Sequence, residues 1–170
     1  MGINTGRPER GIRGSDRYLI LAVPATAIED PSAITVTELE AETAIDVTYS
    51  FTSDGYNRSP SEETVNDDRL TLGQSLTERG RRTDTLQTTI VASGEESVAD
   101  NAFIEDEEFY HVHRPYVPHD EPLAAGQEYD AIPVRVGMKV RNIPVGNAMQ
   151  TKTITWHHFD QPIEGKALVA

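Results

Sequence analysis

"QEYDAIPVRVGMKVRN", residues 127–142, is the stretch that decides the fold. Ile132, Val134, Val136, Met138 and Val140 alternate with Pro133, Arg135, Gly137, Lys139 and Arg141. A period of two over this length marks a strand with one face in an apolar core and the other in water. Pro133 has no amide proton to offer a neighbour, which predicts a sheet edge or a bulge there. An apolar face of this size needs covering, so the rest of the chain must supply further strands.

Working outward, "NIPVGNA" (142–148) turns the chain and "MQTKTITWHHF" (149–159) reads as the last strand. Upstream, "EEFYHVHR" (107–114) is a strand, and "RYLILAV" (17–23) is a short apolar strand stopped by Pro24. In "AITVTELEAETAIDVTYSF" (33–51), Thr35 and Glu38 fit a capping box that opens a helical turn. Ile45, Val47, Tyr49 and Phe51 then alternate with Ala44, Asp46, Thr48 and Ser50, predicting a strand with one wet face. "RLTLGQSL" (69–76) and "DTLQTTIVAS" (84–93) read as a hairpin turning at "TERGRR" (77–82). Ser93 and Glu96 form a second capping box, ahead of a helix carrying Val98, Ala99, Ala102 and Phe103.

Two stretches lack the apolar content to order themselves. "MGINTGRPERGIRGSD" (1–16) reads as a flexible N-terminal arm, and "TSDGYNRSPSEETVNDD" (52–68) as a long polar loop. The expected organisation is that arm followed by one β domain over 17–170. The domain is mainly β: a β-sandwich or partly closed barrel of six to eight strands with one or two short flanking helices.

Composition narrows the function. Hydrophobic residues make up only 37% of the 170, which suggests long exposed loops or arms, or a fold completed by neighbouring subunits. Cysteine is absent, so disulfide frameworks and thiolate chemistry are excluded. No apolar run approaches the roughly 20 residues of a membrane span, and the expected setting is the cytoplasm. Twenty-eight acids against 15 bases give a net charge of −13, which opposes general attraction to nucleic acid or anionic membrane. The charge is uneven: Arg7, Arg10, Arg13 and Arg17 lie near the N-terminus, while "SGEESVAD" (93–100) and "IEDEE" (104–108) are acidic. These are either solvated segments or opposite charges that meet between subunits.

The residues that invite chemistry are the histidines of "EEFYHVHRPYVPH" (107–119). His111 and His113 share a face of their strand, and with Glu121 they loosely resemble the ligand set of cupin enzymes. The spacing fails: Val117 and Pro118 stand where the glutamate belongs. His157 and His158 are adjacent on a strand and point opposite ways. Asp67, Asp68 and Arg69 form a polar group in which carboxylates are ordinarily just solvated. No nucleophile-elbow, P-loop or dinucleotide motif occurs. The expectation is therefore no catalytic, cofactor-binding or metal residue, and no enzyme.

In order along the chain, "TVTELEAETAIDVTYSF", "TSDGYNRSPSEETVNDDRL", "TDTLQTTIVAS", "DNAFIEDEEFYHVHR", "YDAIPVRVGMKVRN" and "MQTKTITWHH" resemble the major tail protein, or tail tube protein, of long-tailed bacteriophages of actinobacteria. The resemblance runs over residues 18–160. It implies a β-sandwich with a flanking helix, forming hexameric rings whose inner strands join into one barrel. The rings stack into a tube that conducts the genome. The implied partners are further copies of the chain and the tape measure, tail terminator and distal tail proteins. DNA passes without specific binding and no membrane is involved. The implied location is the virion tail, after assembly in the host cytoplasm. On this view the lumen is net negative, because a basic wall would hold phosphates, and Asp46 is a candidate for it. The arm and the polar segment 52–68 would then make ring-to-ring contacts. The alternatives are a capsid decoration or carbohydrate-binding sandwich, and a cupin-like metalloprotein.

Overall fold

A computed structural model describes Gly14, residues 16–67 and residues 76–170. The elements are β1 (Tyr18–Pro24), α1 (Val36–Leu39), β2 (Ile45–Asp46), β3 (Phe51–Asp67), β4 (Leu76–Val91), α2 (Val98–Ala102), β5 (Glu108–Pro115), β6 (Glu128–Arg141), β7 (Thr151–His157) and β8 (Ile163–Ala167). The protein is mainly β. Its strands form one antiparallel sheet in the order β2-β1-β5-β6-β7-β4-β3, with β8 also on β6.

The sheet is open, but it curls. Tyr56 of β3 reaches His111 and His113 of β5, four strands away in the sheet order. The concave side thus holds one core: Ile20 and Ala22, Phe109, Ile132, Val134 and Val136, Ile154 and Trp156, Leu86 and Ile90, closed by Ala99 and Phe103 from the α2 segment. The convex side of β1, β5 and the first half of β6 holds a second core. There Leu19, Leu21, Val23, Tyr110, Val112 and Tyr129 meet Ile34, Leu39 and Leu168. Burial on both faces explains why β1 reads as a continuous apolar run rather than an alternating one.

The decisive strand is present, with one correction. Val136 pairs with Trp156, but the next aligned pair is Lys139 with Ile154, so β6 bulges between them. The bulge reverses the alternation. Met138 and Val140, expected in the core, are 64% and 46% exposed. Lys139 instead turns toward α2, where its ammonium donates to the backbone and carboxylate of Asp100. Gly137 makes the bulge sterically possible, since a Cβ there would lie 2.5 Å from the Thr155 carbonyl. Pro133 falls between the stretches of β6 that pair with β8 and with β7, and its carbonyl accepts from His158 Nδ1.

Residues 52–67 are not a loop. They belong to the 17-residue β3, which pairs along β4 from Phe51↔Ile90 to Asp67↔Leu76. "TERGRR" is not a turn but part of β4, and "RLTLGQS" (69–75) lies outside the described residues, as do Asp68 and Arg69. A second bulge interrupts the ribbon between Glu62 and Thr64, opposite Gly80. Beyond Leu86, β4 has β3 as its only strand partner among the described residues. The ribbon therefore leaves the sheet as a two-stranded projection, an arm.

The alternation at 44–51 is realised only in part. β2 ends after two residues and Thr48–Ser50 form a 3-10 turn. Val47 is buried, but Tyr49 is 79% exposed instead of facing the core. The Thr35–Glu38 capping box forms as expected, and α1 follows it. At the second box a helix is present, but the Ser93 side chain makes no cap bond, and a separate 3-10 turn precedes α2. The chain also continues past β7 into β8, a strand the sequence did not announce.

Candidate functional site

The strand spacing does put His111 and His113 on one face, and both are buried. The Tyr56 hydroxyl lies between them, 3.1 Å from His111 Nδ1 and 2.9 Å from His113 Nε2. Tyr18 of β1 closes the chain at 2.8 Å from His113 Nδ1. His111 also packs edge-on against Trp156, with ring centroids 4.5 Å apart. Burial, then the neighbouring His113 and His158, hold the His111 pKa well below its ordinary value. Burial and the Arg58 charge lower His113 to about 3. Burial raises Tyr18 to about 12 and Tyr56 further still. Every member is neutral at physiological pH. The cluster can pass hydrogen bonds between β1, β5 and β3, and so it ties the curled sheet across its seam.

Glu121 does not join it. Its backbone carbonyl accepts from the guanidinium of Arg114, which also gathers the carbonyls of Pro118, His119 and Pro122. Arg114 is 2% exposed and fixes the turn after β5 on the convex side. Among the described residues, no three histidine or carboxylate side chains converge as a metal site. Elemental analysis of purified protein is expected to find well under one transition metal per chain. A stoichiometric metal lost in a His111→Ala, His113→Ala double variant would overturn this.

A second cluster holds the root of the arm. Arg58 on β3 donates to Asp84 on β4 through Nε at 2.8 Å and Nη2 at 2.6 Å, and to Glu164 on β8 at 2.6 Å. Burial opposes its charge, but these carboxylates outweigh burial and raise its pKa above the ordinary value. Half-buried His158 stands 3.8 Å from the other Asp84 oxygen, and burial keeps its pKa below the ordinary value. Asp46 sits at the far edge of the sheet, taken up by His119 at 3.0 Å and by Thr48.

Tyr56 and Arg58, which organise both clusters, lie in the segment that had read as a loop. Hydropathy gives no signal there. A signal of another kind exists: bulky or charged Tyr56, Arg58 and Glu62 alternate with small polar Asn57, Ser59 and Ser61.

Among the described residues, neither core cluster covers the convex side of β3, β4 and β7. Cross-strand pairing puts Asn57, Gln87 and Thr155 side by side, then Ser59 with Thr85, Ser61 with Thr83, and Thr89 with Thr153. These side chains carry hydroxyls and amides but no charge, and none is aromatic. Such a face is built to meet water, since protein interfaces concentrate apolar and aromatic side chains at their centres.

A family model described as phage tail tube protein matches residues 13–170. The chain belongs to that family. It is a structural family rather than an enzyme family, and its members are components of the phage tail. Comparison with curated proteins gives no match. Among the described residues of this tail tube family member, no helix is long and apolar enough to cross a membrane. For such a subunit the two clusters have a common use: they set the curl of the sheet and the point where the arm departs.

Proposed function

We propose that this chain assembles into hexameric rings that stack into the tail tube of a long-tailed phage, the conduit for genome delivery. The segment-level resemblance points to phages of actinobacteria. The tape measure, tail terminator and distal tail proteins are its further partners. The observation that carries the reading is the stretch of hydroxyl and amide side chains on the convex face of β3, β4 and β7, from Asn57, Gln87 and Thr155 to Ser61 and Thr83, which we assign to the lumen. A wall of hydroxyls and amides holds water and offers phosphates no cationic station, so DNA can pass without binding. The subunit's net charge of −13 acts in the same sense from behind the wall. β3, at the end of the sheet order, offers a 17-residue edge onto which a neighbouring subunit's strand can add. A carbohydrate-binding sandwich would need aromatic platforms on its exposed face, and this face has none.

Electron microscopy of concentrated protein tests the reading directly. Stacked hollow rings are expected, with Gln87, Thr89 and Thr153 on the inner wall. A finite, unstacked oligomer or a cation-lined channel would overturn it. Hydrogen exchange supplies a second expectation. A two-stranded ribbon alone in water is marginal, so the backbone of residues 59–67 should exchange readily in the free subunit and be protected in the tube. Equal exchange in the two states would remove the arm from the assembly contact. Arg7, Arg10 and Arg13, proposed to meet acids such as Glu105–Glu108 of a neighbour, lie outside the described residues.

A further inference from the structure

We infer that ring-to-ring contact joins two apolar patches at opposite ends of the subunit: Val65 and Leu76 on the arm of one copy, and Ile143, Val145 and Met149 on the β6–β7 turn of the next. The inference rests on the stacked-ring reading and names its contact.

Val65 and Leu76 are 55% and 50% exposed. Val65 pairs with Glu78 and Asp67 with Leu76, which makes Val65 and Leu76 diagonal neighbours on one face of the arm. Ile143, Val145 and Met149 are 90%, 85% and 75% exposed, and they crowd one short turn. Large apolar side chains gathered this way mark a surface that is covered in use.

Their placement decides what covers them. Val91 of β4 pairs with Thr151, and Asn142 donates its backbone N–H to Thr151 O, so the β6–β7 turn lies at the Val91 end of β4. Leu76 begins the same strand at its other end, on the order of 50 Å of strand away at the usual rise per residue. Joining unlike patches from opposite ends is a heterologous contact, which repeats along an axis without closing. Joining like patches would instead give a closed pair. Charge agrees with the unlike pairing: exposed Glu78 flanks the arm patch, and exposed Arg141 stands at the base of the turn. Each contact is small, and its repetition around a ring supplies the avidity.

The absence of cysteine makes the test clean. Val65→Cys and Val145→Cys proteins are purified separately, mixed under tube-forming conditions and mildly oxidised. Mixed disulfide dimers are expected in several-fold excess over either homodimer. The excess should persist at about 1 M NaCl, where charges are screened within about 3 Å. A Val145→Asp protein should keep its folded subunit spectrum and lose stacking. Stacked rings without the mixed-dimer excess, or full-length stacks from Val145→Asp, would overturn the contact and leave the conduit reading standing. Protein that never stacks under any condition would overturn both.

Discussion

Val136→Asp is expected to leave no soluble folded protein. Val136 has no exposed surface and pairs with Trp156 in the concave core. Its amide and carbonyl are already committed to Glu107 and Asp106, both at 2.9 Å. A carboxylate at this position has no partner, and burying it unpaired costs several kcal/mol. That is a large share of the roughly 5–15 kcal/mol that holds an ordinary domain together. Met138→Asp is the control. It lies two residues along the same strand, in phase by sequence, yet past the bulge and 64% exposed. Its effect should stay within about 0.5 kcal/mol. Soluble yield, circular dichroism and thermal melts of the two variants check both the packing and the bulge. If the two behave alike, the bulge is misplaced.

Acid is expected to destabilise the subunit steeply, starting near neutrality. His111 and His113 are held neutral, with pKa values below the ordinary histidine value and about 3 for His113. In the unfolded chain both titrate near 6.5. Between those limits the unfolded state binds protons that the folded state refuses, so stability falls as pH falls. It is fully present above the unfolded value. The slope approaches about 1.4 kcal/mol per pH unit for each such histidine. For His113, moving from pH 6.5 to 5 removes about 1.7 kcal/mol, and His111 adds to the loss in the same direction, before most carboxylates titrate. Urea unfolding at pH 7.5, 6 and 5 measures it. Replacing both histidines by glutamine should flatten the profile even where it lowers the plateau. A wild-type protein equally stable at pH 7.5 and 5 would show that the imidazoles are not desolvated.

What was legible follows from which physical signal each element sends. The first half of β6 and β7 were plain because their side chains sort by hydropathy at a period of two. The histidine face was legible from spacing alone. β3 was illegible for a definite reason: one face of its ribbon meets water and the other is used by Tyr56 and Arg58, so apolar alternation never appears. The same reason turned the continuous β4 into two pieces with a false turn. At β6 the sequence keeps alternating through Met138 and Val140 while the backbone does not, and Gly137 is the only residue that hints at the break. The short β2 shows the opposite failure. Its alternation is real, but Asp46 and Thr48 hydrogen-bond each other locally and draw the chain into a 3-10 turn.

The arm is not uniformly stiff. Its root is clamped by Arg58, Asp84 and Glu164 from three strands. The interruption between Glu62 and Thr64 comes only a few residues farther out, with Gly80 opposite. Beyond it, β3 and β4 have only each other as strand partners among the described residues. A load applied at the far end therefore concentrates its bending at that joint, because the clamped body resists deformation. In a stack linked through such arms, compliance would reside between rings rather than within them. A tube built this way can flex along its length while every ring keeps its bore.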